Sequence, residues 1–334
     1  MRSLEDVCTG TIRMPALRSC DGKCMIHTVR TAIALIQTLV IAALWIGGFD
    51  SAAAAPVPAL GEPAATAPAS GGPVIQPRGR AYLFRGAMGP IFSRGMDRLT
   101  ERIEQTGITA NVYEFTICRF IAATVIRDYR QEPKPIILIG HSMGGYCAII
   151  IAQILQAQNI AVSLVVTIDP AHATSDVPLN VERFINIFLS ESVLGGGDVK
   201  PLRGYQGHYA SFDLSQLKEV THINIDKMSS IHEQLVSKIV QLATTPAKTD
   251  DTVPLRYVVP PATAIELWDS GMPVFARPGD TLQTIAALYR VPLWSIAQMN
   301  KGAGNTPLVP GERIIVPRYL TPSSEASRPP PAIR

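Results

Sequence analysis

Cysteine is scarce in this chain. Of five residues in 334, Cys8, Cys20 and Cys24 precede the first long apolar run, and only Cys118 and Cys147 follow it. Such a set builds no disulfide framework and shows no zinc-ligand spacing. Two buried free thiols are expected at Cys118 and Cys147, a bridge between them being the alternative in an oxidising compartment. A dense run of Lys or Arg is also missing and the net charge is only +3, which argues against nucleic acid as a partner. No long internal repeat is visible. The composition is 47% hydrophobic and 17% charged, so a sizeable core can be buried, and the length suits one medium domain plus a smaller one. The 27 prolines cluster in three stretches, which suggests linkers between compact units.

The long apolar run covers residues 31–48 and contains one Gln and no charge. His27 and Arg30 precede it, and Ser51 with four alanines follows. A positive flank, an apolar stretch and a small-residue exit are the parts of a secretory signal. The run is just short of a span of ~20 residues, so cleavage is expected, with a retained N-terminal anchor as the alternative. Either way the rest of the chain faces the far side of the inner membrane, in the periplasm or cell envelope, with membrane contact only through an uncleaved N-terminal segment. The expected organisation is an extension and signal over 1–55, a Pro/Ala-rich linker over 56–78, a main domain over 79–247, a linker over 248–270, a small domain over 271–318 and a tail over 319–334.

Within the main domain, apolar strands alternate with helical periodicity. Residues 81–85, 108–115, 135–139, 161–168 and 220–225 read as strands; Met96, Leu99 and Ile103 share a helical face, as do Ile231, Leu235, Ile239 and Leu242. The fold class is therefore α/β, a mostly parallel sheet with helices on both faces. Residues 171–216 break the alternation and include Gly195, Gly196 and Gly197, which reads as a lid or binding loop.

Gly140-His141-Ser142-Met143-Gly144-Gly145 lies between the strand PIILI and an apolar helix. That is the context a G-x-S-x-G serine needs, a sharp strand-to-helix turn holding the hydroxyl in a strained backbone. The helix N-terminus turns the N–H of Met143 toward a substrate oxygen. A serine hydroxyl needs an oriented base. The chain order Ser142, Asp169, His232 supplies nucleophile, acid and base, since Asp169 ends the next strand and His232 opens the last helix. Asp226 as the acid and His222 as the base are competitors; a histidine inside a strand is more often a core residue. The second oxyanion donor is assigned to the N–H of Ala87, in the loop after the first strand. Arg85 is a candidate for binding an anionic substrate group.

On GHSMGG, the acid in TIDP and the late histidine, residues 80–245 resemble the α/β-hydrolase superfamily, in its thioesterase-like and lipase-like branch. The resemblance implies hydrolysis of a carboxylic ester or thioester through an acyl-enzyme, with no cofactor and no metal. The usual His-Gly start of the oxyanion loop is replaced by Arg85-Gly86.

Residues 274–317 read as strand, helix, helix, strand, a small βααβ unit. They resemble the lysin motif (LysM) domain, which implies binding of peptidoglycan or another N-acetylglucosamine polymer. The resemblance puts the groove at Gly279, Asp280, Thr281 and Leu282 on one side and Leu308 and Pro310 on the other. A hydrolase held at the cell wall is the expected whole; a catalytically silent wall-binding protein, or an amidase acting on the wall, are the other readings.

Overall fold

The computed structural model describes residues 79–244, 252–300, 302 and 304–319. The signal, the Pro/Ala-rich linker and the C-terminal tail from 320 lie outside the described residues. The order is β1 (Arg80–Arg85), α1 (Gly89–Phe92), α2 (Arg94–Glu104), β2 (Thr109–Glu114), α3 (Cys118–Gln131), β3 (Ile136–His141), α4 (Met143–Gln156), β4 (Leu164–Ile168), β5 (Arg183–Phe188), β6 (His208–Asp213), α5 (Ser229–Thr244) and β7 (Leu255–Val258). Seven strands form one sheet in the order β2-β1-β3-β4-β5-β6-β7, every neighbour pair parallel.

The two-residue period of each strand divides the core between the two faces. Leu83, Ile137, Ile139 and Val166 point toward α2 and α5, where Met96, Leu99, Ile103, Ile231, Leu235 and Ile239 meet them. Tyr82, Phe84, Leu138 and Val165 point the other way, onto Ile121 and Val125 of α3 and Cys147, Ala148 and Ile151 of α4. Cys118 at the start of α3 and Cys147 in α4 form a disulfide with a Cα–Cα distance of 5.4 Å, closing a sequence separation of 29. The expectation of two free thiols is therefore corrected: the bridge clips the two helices of this face together.

Three strand readings change. Residues 171–216 supply β5 and β6 rather than an insertion. Both strands are fully buried yet carry polar side chains, and these are paired within the core. Asn186 accepts from Thr167 Oγ1 at 2.7 Å and donates to Gly197 O at 3.1 Å. Residues 220–225, read as a strand, are a turn leading into a short 3-10 segment. The stretch read as a linker over 248–270 contains β7, whose Leu255 and Tyr257 face inward while Arg256 and Val258 face out.

The C-terminal unit comprises β8 (Trp268–Phe275), α6 (Leu282–Tyr289), α7 (Leu293–Asn300) and β9 (Arg313–Tyr319), with β8 and β9 antiparallel. Thr281 caps α6 through a reciprocal pair with Thr284. Ile285, Ala286, Ile296, Ile314 and Val316 form its core. This unit is packed into the large sheet. Trp268, Tyr257, Phe212 and Trp294 form one aromatic cluster, mostly tilted or edge-on, with centroids 5.0–5.9 Å apart, and Gln298 of α7 bonds both the N–H (3.1 Å) and the C=O (2.7 Å) of Val258 on the edge strand.

A buried charge cluster sits at the same seam. Asp269 Oδ2 receives Lys238 Nζ at 2.7 Å, His208 Nδ1 at 3.2 Å and Arg183 Nε at 3.5 Å. Burial alone would raise the Asp269 carboxyl, but the His208 hydrogen bond and the Lys238 charge hold it well below the usual carboxylate range. His208 is thus an interior residue.

Candidate active site

Ser142 stands between β3 and α4 with φ 56 and ψ −122, a left-handed conformation that a side-chain-bearing residue adopts only where its surroundings enforce it. The surroundings are tight. A Cβ on Gly140 would lie 2.0 Å from Gly144 O, and one on Gly144 would lie 2.1 Å from Phe84 O, so glycine is required on both sides of the serine. The turn is tied to the next strand by Ser142 N–H donating to Ile168 O at 3.0 Å and Ala171 N–H to Ser142 O at 3.2 Å.

Asp169 follows β4 and is fully buried. Its Oδ1 accepts from Leu189 N–H at 3.0 Å and Gly196 N–H at 2.8 Å. The glycine run expected to belong to a lid is instead wrapped around this carboxylate: a Cβ at Gly195 would lie 2.5 Å from Asp169 Cγ, and Gly196 has φ +93. Two backbone donors fix one oxygen, and the other, Oδ2, lies 2.6 Å from His222 Nδ1.

His222 is therefore the histidine that the structure pairs with Asp169, and His232 is not. His232 is buried, and its Nε2 bonds the backbone O of Asp226 at 2.7 Å; burial lowers its pKa. The Asp226 carboxylate receives Gly95 N–H at 3.0 Å, so neither member of that pair reaches Asp169. His222 comes from the turn that replaces the expected strand. Thr221 N–H donates to Asn224 Oδ1 at 2.8 Å and Asn224 N–H to Thr221 O at 3.1 Å, closing a tight loop around it. Beside it opens a cavity of about 250 Å³ lined by Leu189, Ser192, Ser215, Leu217 and Val220.

The elbow and the base are brought together by His141. Its ring lies 4.8 Å from that of His222, its Nε2 is 3.0 Å from His222 O and its Nδ1 is 2.8 Å from Ser93 Oγ. The loop after β1 closes the other side. A Cβ on Gly86 would lie 2.7 Å from Ser142 Cβ, so the loop after β1 passes directly against the serine. Arg85 is held by two carboxylates. Its Nε bonds Asp97 at 3.0 Å and its Nη1 bonds Glu114 at 2.9 Å, so its charge is already matched.

A parallel sheet, a serine elbow after β3, an acid after β4 and a histidine beyond β6 now stand in one frame. The fold is α/β, a parallel seven-stranded sheet with helices on both faces. Residues 119–183 match the family model of the Thioesterase domain, and residues 276–317 match that of the LysM domain. No curated protein matches the chain. Among solved structures, a protein described as a hydrolase of the alpha/beta superfamily from Xanthomonas campestris pv. campestris is similar at 18% identity, over 37% of this chain and 76% of that one, with a TM-score of 0.26. The RedJ thioesterase from the prodiginine biosynthetic pathway of Streptomyces coelicolor is similar at 15% identity, over 32% of this chain and 47% of its own, with a TM-score of 0.22. The chain thus spans about half the length of that thioesterase.

In the LysM region, Leu308 N–H donates to Asp280 O at 2.8 Å, joining the two loops expected to form the groove. Gly279 has φ +87 and open space about it; Pro310 is exposed. Asp280 Oδ2 accepts from Arg277 N–H at 2.8 Å. Leu282, in the loop that the resemblance puts at the groove, is only 1% exposed, and its side chain belongs to the core. Among the described residues no cluster of metal ligands occurs, and no helix is long and apolar enough to cross a membrane.

Proposed function

We propose that this chain is an exported serine hydrolase that cleaves a carboxylic ester or thioester through an acyl-enzyme, held at peptidoglycan by its LysM domain. Ser142 is the nucleophile, His222 the general base and Asp169 the residue that orients it. The observation that carries the reading is the 2.6 Å contact between His222 Nδ1 and the buried, doubly anchored Asp169 carboxylate, next to a serine held at positive φ.

The chemistry follows from these atoms. Asp169 fixes the proton on His222 Nδ1, which leaves Nε2 as the base. Ser142 Oγ attacks the carbonyl carbon and its proton passes to Nε2. The N–H groups of Met143 and Ala87 hold the oxygen on which negative charge develops. The departing alcohol or thiol takes the proton from Nε2, leaving the acyl group on Ser142. Water then repeats the sequence and releases the acid.

At the other end, the groove of Gly279, Asp280, Thr281, Leu308 and Pro310 would take N-acetylglucosamine units, the backbone polar groups meeting the acetamides. Leu282 contributes there only by shaping the loop from below. The Cys118–Cys147 bridge favours an oxidising compartment beyond the inner membrane.

A fluorophosphonate probe tests the reaction. Labelling of the full chain that disappears in Ser142→Ala, together with hydrolysis of p-nitrophenyl esters or acyl thioesters, is the expected result. Absence of labelling in folded wild type would favour a silent wall-binding protein. Co-sedimentation with purified sacculi, weakened by substitutions in the Gly279–Thr281 loop, tests the anchoring.

A further inference from the structure

A directed chain of hydrogen bonds runs behind the site and joins its two halves. The backbone O of His222 can only accept, so His141 Nε2, 3.0 Å away, carries a proton. Burial, and then the neighbouring His222, push His141 down to about 4, so its ring is neutral near pH 7. Nδ1 is therefore bare and accepts the Ser93 hydroxyl proton across 2.8 Å. Ser93 Oγ in turn accepts Gly86 N–H at 3.1 Å. Every proton in the chain has a single direction, and Ser93 and His141 are each about 1% exposed. Ser93 is brought under the loop by α1, through its own N–H to Gly89 O at 2.9 Å.

The ends of the chain matter. Gly86 N–H belongs to the peptide just before the Ala87 amide, and a Cβ on Gly86 would strike Ser142. Binding that N–H fixes the plane from which the Ala87 amide follows. At the far end, the His222 carbonyl belongs to the residue that pairs with Asp169. His141, in the middle, is the residue immediately before the nucleophile.

We propose that Ser93 and His141 are positioning residues, a strut that locks the oxyanion loop to the loop of the general base and holds both in register with Ser142. The proposal rests on the acyl-enzyme reading given above. Neither residue touches the reacting atoms; each acts through the backbone it holds. Donor placement within a few tenths of an ångström is what an oxyanion hole requires, and a misplacement of about 1 Å costs on the order of 100-fold.

The test uses the full chain, p-nitrophenyl butyrate and four variants: Ser93→Ala, His141→Leu, the double variant, and His141→Gln, which keeps one donor and one acceptor. Thermal midpoints establish which variants are folded. The expected result is a fall in kcat of about 10- to 100-fold in Ser93→Ala and His141→Leu with KM changed by less than about 3-fold, as for an interaction felt in the transition state. The double variant should be no worse than the poorer single one, because one strut is broken twice, and His141→Gln should recover most of the loss. Folded single variants within about twofold of wild type, or losses that multiply in the double variant, would overturn the strut. Should wild type turn over no ester, the acyl-enzyme reading fails, and amide exchange then judges the strut separately. Protection of Gly86 N–H that vanishes in Ser93→Ala upholds it, and unchanged protection overturns it.

Discussion

Removing the Cys118–Cys147 bridge should weaken the fold by an amount that the loop itself sets. The bridge closes a sequence separation of 29. Cross-linking a loop of that size removes ~12 cal/mol/K of unfolded-chain entropy, about 3.6 kcal/mol at 25 °C. Both cysteines are buried, at 8% and 0% exposure, so alanine in their place leaves no stranded polar group. For a body of this size the loss corresponds to a fall in Tm of roughly 8 °C. Thermal unfolding of wild type and of Cys118→Ala/Cys147→Ala, followed by circular dichroism with and without reductant, measures it. Reductant should lower the wild-type Tm to that of the double variant and leave the variant unmoved. Thiol titration of the unreduced proteins should give equal counts in the two. A wild type with two extra titratable thiols, or a Tm shift below about 2 °C, would refute the bridge or the loop-entropy reasoning behind it.

Three further outcomes are expected. His222→Ala should lower kcat/KM by at least about 10⁴-fold, while His232→Ala should chiefly lower Tm; a folded His232→Ala that loses activity to the same extent would reverse the assignment. Burial raises the Asp226 carboxyl to about 6, and its Oδ1 is buried without a hydrogen-bond partner. Its contribution is complete below the ordinary value near 4 and is lost as pH climbs through about 6. Asp226→Asn should therefore gain up to about 3 kcal/mol above pH 7. It should also unmask the opposite trend of His141, whose stabilisation fades as pH falls from about 6.5 toward about 4; urea midpoints between pH 4 and 8 check both, and parallel profiles for variant and wild type would count against this. Asp269→Ala removes the carboxylate shared by Lys238, Arg183 and His208 and should cost about 3–5 kcal/mol, as one cooperative transition by denaturant; two separate transitions would mean that the region matching the LysM model does not share the main core.

The parts legible in the sequence were those where one physical rule acts alone. The elbow could be read because glycine on both sides of Ser142 has no substitute, and Asp169 because it directly follows a fully buried strand, apolar but for Thr167. The core faces of α2 and α5 followed from spacing. What misled was compensation at a distance. β5 and β6 carry Arg183, Asn186, His208 and Ser211 inside the core, tolerable only because Thr167, Asp269 and Ser270 arrive from elsewhere to satisfy them. A local pattern has no access to those partners, so the strands passed for a loop. Val220, Ile223 and Ile225 imitated strand alternation, although Ile223 is 45% exposed, and this hid the turn that delivers His222. The signal available was Thr221 three residues before Asn224, a side-chain-closed turn. Cys118 and Cys147 gave no local sign of pairing, since only the packing of α3 on α4 brings them together.

Gln298 grips both polar groups of Val258 on the outermost strand, and the indoles of Trp268 and Trp294 are wedged against Tyr257. An open strand edge is a standing invitation to aggregate, and here a side chain of the region that matches the LysM model shuts part of it. That region is therefore a lintel for the sheet, and under the proposed function its mooring as well. Fixed so firmly, it would hold the serine at one stand-off from whatever polymer it grips, and only acyl groups at that height would come within its sweep.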